Sequence, residues 1–391
     1  MAQHHNMEAF KGTIHTKLPE TGASIFAIMS QLAAENNAVN LSQGFPDFPV
    51  SQELIERVHH YMKAGFNQYA PMPGVKPLRD AISHMFSDKY GVTYNADTEI
   101  NVTAGATQAL YAAISAFIKE GDEAIIFEPA YDCYAPAVTL NGGLVKYSPL
   151  QFPDFSINWE ELPRMITHRT RLIIINSPQN PTGSVLSRED MERLERLTMG
   201  TDIIVISDEV YEHLIFDGLT HQSACLFPEL AQRTLIIGSF GKTFHATGWK
   251  TGFVLAPEKL MAEFRKTHQF VVFASNTPVQ YAIADFIANK ENYLHLGAFY
   301  QAKRDLFADG LKDSRFKVLP AYGTYFQLLD YSGISDMPEM DFARLLVEKH
   351  KIAAIPIAPF YQNHDEHKVL RFCFAKKEET LRKATKILSG I

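Results

Sequence analysis

The chain has 391 residues, 46% of them hydrophobic and 21% charged, an ordinary globular composition with ample material for a large buried core. Lys and Arg number 37 against 44 Asp and Glu, a formal charge of −7 with no long basic run, which disfavours a nucleic-acid partner. Cys133, Cys225 and Cys373 are odd in number and lack paired spacing, so neither a disulfide framework nor a zinc site is expected, and the absence of a stretch of about 18 apolar residues speaks against a membrane partner.

The opening MAQHHNMEAFKG lacks the apolar core of a signal peptide, and a cytoplasmic enzyme without a metal is the expectation. No internal repeat or low-complexity stretch breaks the chain. In chain order, Ile100–Thr103 reads as a strand that turns through Ala104 and Gly105 into a helix over 106–119. Short apolar runs follow at helix-sized intervals, over 124–127, 172–175, 203–206, 235–237 and 253–255. Such runs suit strands buried on both faces of a parallel sheet covered by helices. After about Asn289 the texture changes to mixed helices and short strands, including 325–329, 352–357 and 370–374. A smaller α+β domain, joined by the N-terminal segment, is expected there.

In open α/β sheets, ligands gather at the carboxyl ends of strands, so the residues ending those runs carry the most interest. IIGSFGKTFHATGWKTGF places Ser239, Lys242, Thr243 and Lys250 on a loop after a strand, where a lysine can form an imine with an aldehyde. A solvated surface lysine is the ordinary alternative. A nucleotide P-loop fails, because the Walker pattern requires glycine five positions before Gly241 and Ile236 stands there. IIVISDEVYEHL ends a strand with Asp208, whose carboxylate can keep a pyridinium nitrogen protonated; a helix cap is the competing role. INSPQNPTG is a rigid turn that frees Asn180 to face a ligand, unless it is a plain structural turn. TAGATQAL opens a helix whose N-terminal amides suit a phosphate, a weak signal alone. In LRFCFAK, strand alternation puts Arg371 and Cys373 on one face; a salt bridge to the protein's own carboxylate is the ordinary fate of such an arginine.

Taken together, Tyr69, TAGAT, EPAYDCY, NPTG, SDEVY, SFGKTFHATGWK and RFCFAK occur in the order and approximate spacing of class I, fold-type I aminotransferases, which the whole chain resembles. LSQGFPDF, NQYAPMPG, SDEVYEH, GKTFHATGWK and VLRFCFAKKE resemble the kynurenine and methionine aminotransferase branch more narrowly. The resemblance implies an α/β PLP-transferase fold: a large domain over 41–287 with a mostly parallel seven-stranded sheet flanked by helices, and a smaller α+β domain from 1–40 and 288–391. It also implies a pyridoxal 5′-phosphate cofactor held as a Schiff base on Lys242, which then shuttles a proton between substrate Cα and the cofactor's C4′. Asp208 is implied to pair with the ring nitrogen, Asn180 and Tyr211 to bind the 3′-oxygen, and Tyr131 to stack on the ring. Phosphate binding falls to Ala106 and Thr107 behind Gly105, to Ser239 and to Lys250, with Tyr69 reaching across from the second subunit of a homodimer. Lys250 stands where some relatives carry Arg; the kynurenine-type branch also has Lys there.

By the same resemblance, Arg371 grips the α-carboxylate of an amino acid, assisted by the Gly44 backbone, and Phe26, Phe45 and Tyr69 line an apolar side-chain pocket. The implied reaction moves an amino group from a hydrophobic amino acid to a 2-oxo acid. β-Elimination from cysteine conjugates uses the same Lys242, Asp208 and Arg371, and stays open as an alternative. A non-catalytic regulator would need a DNA-binding module for which the chain has neither length nor basic charge.

Overall fold

The computed structural model of the protein describes residues 9–19 and 21–391; the first eight residues of the expected N-terminal segment, and Glu20, lie outside the described residues. Continuous apolar runs build the central sheet. Its strands are β1 (Ile100–Thr103), β2 (Glu123–Glu128), β3 (Leu144–Pro149), β4 (Thr170–Asn176), β5 (Ile204–Asp208), β6 (Thr234–Ser239) and β7 (Gly252–Leu255). Along them, Ile125, Ile173, Val205 and Ile236 point into one apolar cluster, while Ile126, Ile174, Ile206 and Ile237 point into another on the opposite face. Both faces are therefore dry, which is why these strands read as continuous hydrophobic runs.

The sheet order is β1-β7-β6-β5-β4-β2-β3. β2, β3, β4, β5 and β6 run parallel, and β7 is antiparallel to both β1 and β6, so the expected mostly parallel seven-stranded sheet is present. Strand β3 was not foreseen. It lies at the sheet edge with Leu144 and Pro149 exposed, and a partly solvated edge lacks the apolar run that marked the others. The helix expected over 106–119 is Ala106–Phe117; Ile118 is already extended.

A second sheet joins β8 (Lys317–Val318), β9 (Phe326–Asp330), β10 (Ile355–Pro356) and β11 (Val369–Cys373) in the antiparallel order β10-β11-β9-β8. The strand expected over 352–357 is split. Ile352–Ala353 pairs in parallel with Val39–Asn40, whereas Ile355–Pro356 pairs with β11, so the chain changes partners at Ala354. The N-terminal segment is thereby stitched to this region, with Leu41 N–H donating to Ala353 O at 3.0 Å and Cys373 N–H donating to Leu41 O at 2.8 Å.

Candidate active site

Register brings the strand-end residues together. Asn176 pairs with Asp208 and Asp208 with Ile237, while Ser239 and Thr103 both lie opposite Gly252, so β1, β4, β5 and β6 deliver their last residues to one edge of the sheet. Gly105, at φ +82°, begins the helix Ala106–Phe117, and no side chain caps its first amides. A Cβ at Gly105 would sit 3.4 Å from Lys250 Nζ, which places that ammonium beside the free helix terminus.

Asp208 is 3% exposed, and no cation forms an ion pair with it among the described residues. Burial raises its pKa to about 6, while the Tyr134 hydroxyl, donating at 2.5 Å, favours the ionised form. No helix starts at Asp208, so the capping role is excluded. Asn176 Nδ2 donates to Asp208 O at 2.9 Å, and Asn176 Oδ1 receives Asn180 N–H at 2.9 Å, which locks the NPTG turn against β5.

Lys242 sits on the one-turn helix Phe240–Thr243, not on the loop expected from the sequence; Ser239 is the residue before that turn. Its Nζ donates to Tyr325 Oη at 2.9 Å and lies 3.4 Å from Gly44 O. Burial lowers the amine's pKa to about 8, so the neutral form is far more accessible near neutral pH than for a solvated lysine. This amine faces two spaces. One is bounded by Ala106, Thr107, Tyr131, Asn180, Asp208 and Tyr211. The other is bounded by Phe26, Gly44, Phe45, Phe326 and Arg371, and shares Tyr131, Asn180, Tyr211 and Lys242 with the first.

Arg371 is 1% exposed, yet it forms no salt bridge among the described residues. Its guanidinium donates to neutral acceptors, Asn180 Oδ1 at 2.7 Å and Ser42 O at 3.1 Å, and Nε has no partner. Phe326 lies 3.9 Å from the guanidinium, with Phe26 and Phe360 at 5.2 and 5.5 Å. Burial among these rings lowers its pKa to about 10. A buried cation with no anion is costly, and a carboxylate entering the cleft could supply the missing counter-charge.

Tyr69 stands apart from this assembly in the single chain. It is 86% exposed, with its ring edge-on to Phe273 at 5.7 Å. Tyr134, Tyr325, Phe326 and Phe360 were not singled out from the sequence. Tyr134 sits three positions after Tyr131 in EPAYDCY, a usable signal; Tyr325 had none, because its role depends on contact with Gly44, 281 positions away.

The residues present fit pyridoxal 5′-phosphate: an amine of lowered pKa, a buried carboxylate without a cation, and an uncapped helix start beside Lys250. The chain matches the family of class I and II aminotransferases over residues 36–388. It is 48% identical over 374 residues to methionine aminotransferase of Escherichia coli K12, covering 95% of this chain and 97% of that one. Human kynurenine–oxoglutarate transaminase 1 is 35% identical, with 90% of this chain and 92% of the relative covered. The crystal structure of E. coli YbdL, described as identifying a methionine aminotransferase function, superposes with a TM-score of 0.94 at 47% identity, over 97% of this chain and all of that one. The protein belongs to the class I and II aminotransferase family. It is a pyridoxal phosphate-dependent aminotransferase of fold type I.

Proposed function

We propose that the protein transfers the amino group of a hydrophobic amino acid, methionine or an aromatic residue foremost, to a 2-oxo acid, with the cofactor carried covalently on Lys242. The observation that carries this reading is the position of Lys242 Nζ between the cavity bounded by Asp208 and the cleft bounded by Arg371. The relatives named for methionine and kynurenine support the substrate class, as do Phe26 and Phe45 along the cleft.

When bound, the cofactor supplies an aldehyde that exchanges for the amino group and a ring that accepts electron density from the substrate's Cα. Asp208 holds the proton at the ring nitrogen, since an ionised carboxylate stabilises a neighbouring cation. Asn180 and Tyr211 bind the 3′-oxygen, and Tyr131 covers the ring face. The first amides at Ala106 and Thr107, with Ser239 and Lys250, hold the phosphate. Lys242, neutral in part because it is buried, moves the proton between substrate Cα and C4′. Arg371 takes the α-carboxylate with two parallel hydrogen bonds, beside the Gly44 backbone.

In this reading residues 41–287 form the cofactor-binding domain and the remainder the smaller one. A homodimer completes the site, with Tyr69 reaching the partner's phosphate region. The exposed apolar side chains Phe66, Tyr69, Phe270 and Phe273 suit such an interface. We place the reaction in the cytoplasm; among the described residues no helix is long and apolar enough to cross a membrane.

The test is a visible spectrum of the purified protein, titrated first with methionine and then with aspartate, followed by borohydride reduction and peptide mapping. Methionine should bleach the yellow band and reduction should tag Lys242. A colourless protein that stays so with added cofactor, or a faster response to aspartate, would overturn the reading.

A further inference from the structure

We propose that Tyr325 is a positioning residue for the transfer reaction: its oxygen accepts an N–H from Lys242 while its own proton is committed to Gly44 O, leaving the lysine lone pair for the substrate. The proposal rests on the reading of Lys242 as the cofactor-bearing lysine.

The geometry is a short relay. Lys242 Nζ donates to Tyr325 Oη at 2.9 Å, and Tyr325 Oη donates to Gly44 O at 2.6 Å. A hydroxyl has one proton; once it is spent on a carbonyl, the oxygen can only accept from the amine. The amine therefore gives the tyrosine an N–H and keeps its lone pair, which a base that takes a proton from carbon requires. The ring cannot swing away. Tyr325 is fully buried, edge-on to Tyr211 at 5.1 Å and to Phe326 at 4.9 Å, with Tyr300 tilted at 5.8 Å. Burial holds the phenol well above its usual pKa, so it stays a neutral hydroxyl.

The next residue extends the same device. A Cβ at Gly44 would meet Phe326 Cζ at 2.9 Å, so the Gly44 loop can approach this closely only as glycine. Phe326 also lies 3.9 Å from the Arg371 guanidinium. One dipeptide thus fixes the amine, the Gly44 backbone and the carboxylate-binding arginine relative to one another. Asp208, Tyr211, Lys250, Tyr300, Arg371 and Cys373 are the other ionisable groups acting on Lys242 or Tyr325, and Tyr325→Phe leaves all six in place.

The experiment compares wild type with Y325F and with Y300F, a control that removes a buried hydroxyl with no partner from the same aromatic cluster. In the holoenzyme, Y325F should lower kcat for methionine about five- to ten-fold, the worth of one hydrogen bond to a reacting group, and change KM by less than about three-fold. In the cofactor-stripped full chain, acylation of Lys242 by acetic anhydride, followed by peptide mass spectrometry, should show a midpoint about half to one pH unit lower in Y325F. The shift is downward because a phenol oxygen accepts more strongly from an ammonium than from an amine. Y300F should move neither readout. An unmoved acylation midpoint, an unmoved kcat, or equal effects from Y300F would each overturn the proposal. Borohydride tagging of another lysine would overturn the cofactor assignment instead, and this proposal with it.

Discussion

The half of the site around Asp208 takes its residues from neighbouring strand ends in one sheet, whereas the half around Arg371 collects Phe26, Gly44, Phe326 and Phe360 from separate stretches of the chain. The first half hydrogen-bonds its polar groups internally, through Tyr134 on Asp208 and Asn176 on the following turn, and leaves only the Asp208 charge without a counterion. The second leaves a buried guanidinium facing neutral oxygens and aromatic rings. The contrast separates what is held in place permanently from what is left open for a partner that comes and goes. Burying a charge without its counterion is costly, and a bound partner that supplies the counterion offsets that cost.

The sharpest way to break this contrast is to remove Lys242, the residue both halves share. Lys242→Ala should reduce turnover at least ~10⁴-fold, because it deletes the covalent anchor and the proton carrier together. Borohydride reduction of the variant should leave no pyridoxyl tag at that position, and a retained rate would separate the two spaces chemically.

Arg371→Leu tests the open half alone. It should cost ~10²- to 10³-fold in kcat/KM for methionine while leaving the cofactor's absorbance and affinity near wild type, since a buried charge-assisted pair is lost only with substrate. Arg371→Lys should recover a part, because a point charge replaces a planar fork. Cofactor loss in either variant would show that the halves are not independent.

The smallest effect comes from the self-satisfied half. Tyr134→Phe removes a hydrogen bond that favours the Asp208 carboxylate, so burial should push its pKa above about 6. An acid whose folded pKa is raised is neutral below that value and ionised above it. Cofactor affinity that depends on ionised Asp208 should therefore fall as pH drops through about 6, and the fall should begin at higher pH in the variant. Binding measured by fluorescence quenching from pH 5 to 8 checks this, and superimposable curves would remove Tyr134 from the account.

These halves also differ in how much of them the sequence disclosed. Dry strands announce themselves by apolar runs, which marks the residues ending them as the ones of interest; the strand register then brings Asn176, Asp208 and Ser239 to one edge of the sheet. Lys242 and Arg371 stood out because charged residues next to buried strands need a reason. Strand β3 escaped because an edge is half solvated, and the one-turn helix carrying Lys242 is too short to leave a periodic trace.

Local pattern thus determined six of the seven central strands, the helix start after Gly105 and the set of chemically capable side chains, because backbone period and burial act over a few residues. Only the tertiary structure decided that Arg371 lacks a carboxylate, that Tyr134 serves Asp208, and that Tyr325 links Lys242 to Gly44. Those facts depend on distances between segments up to 329 positions apart, which packing alone sets.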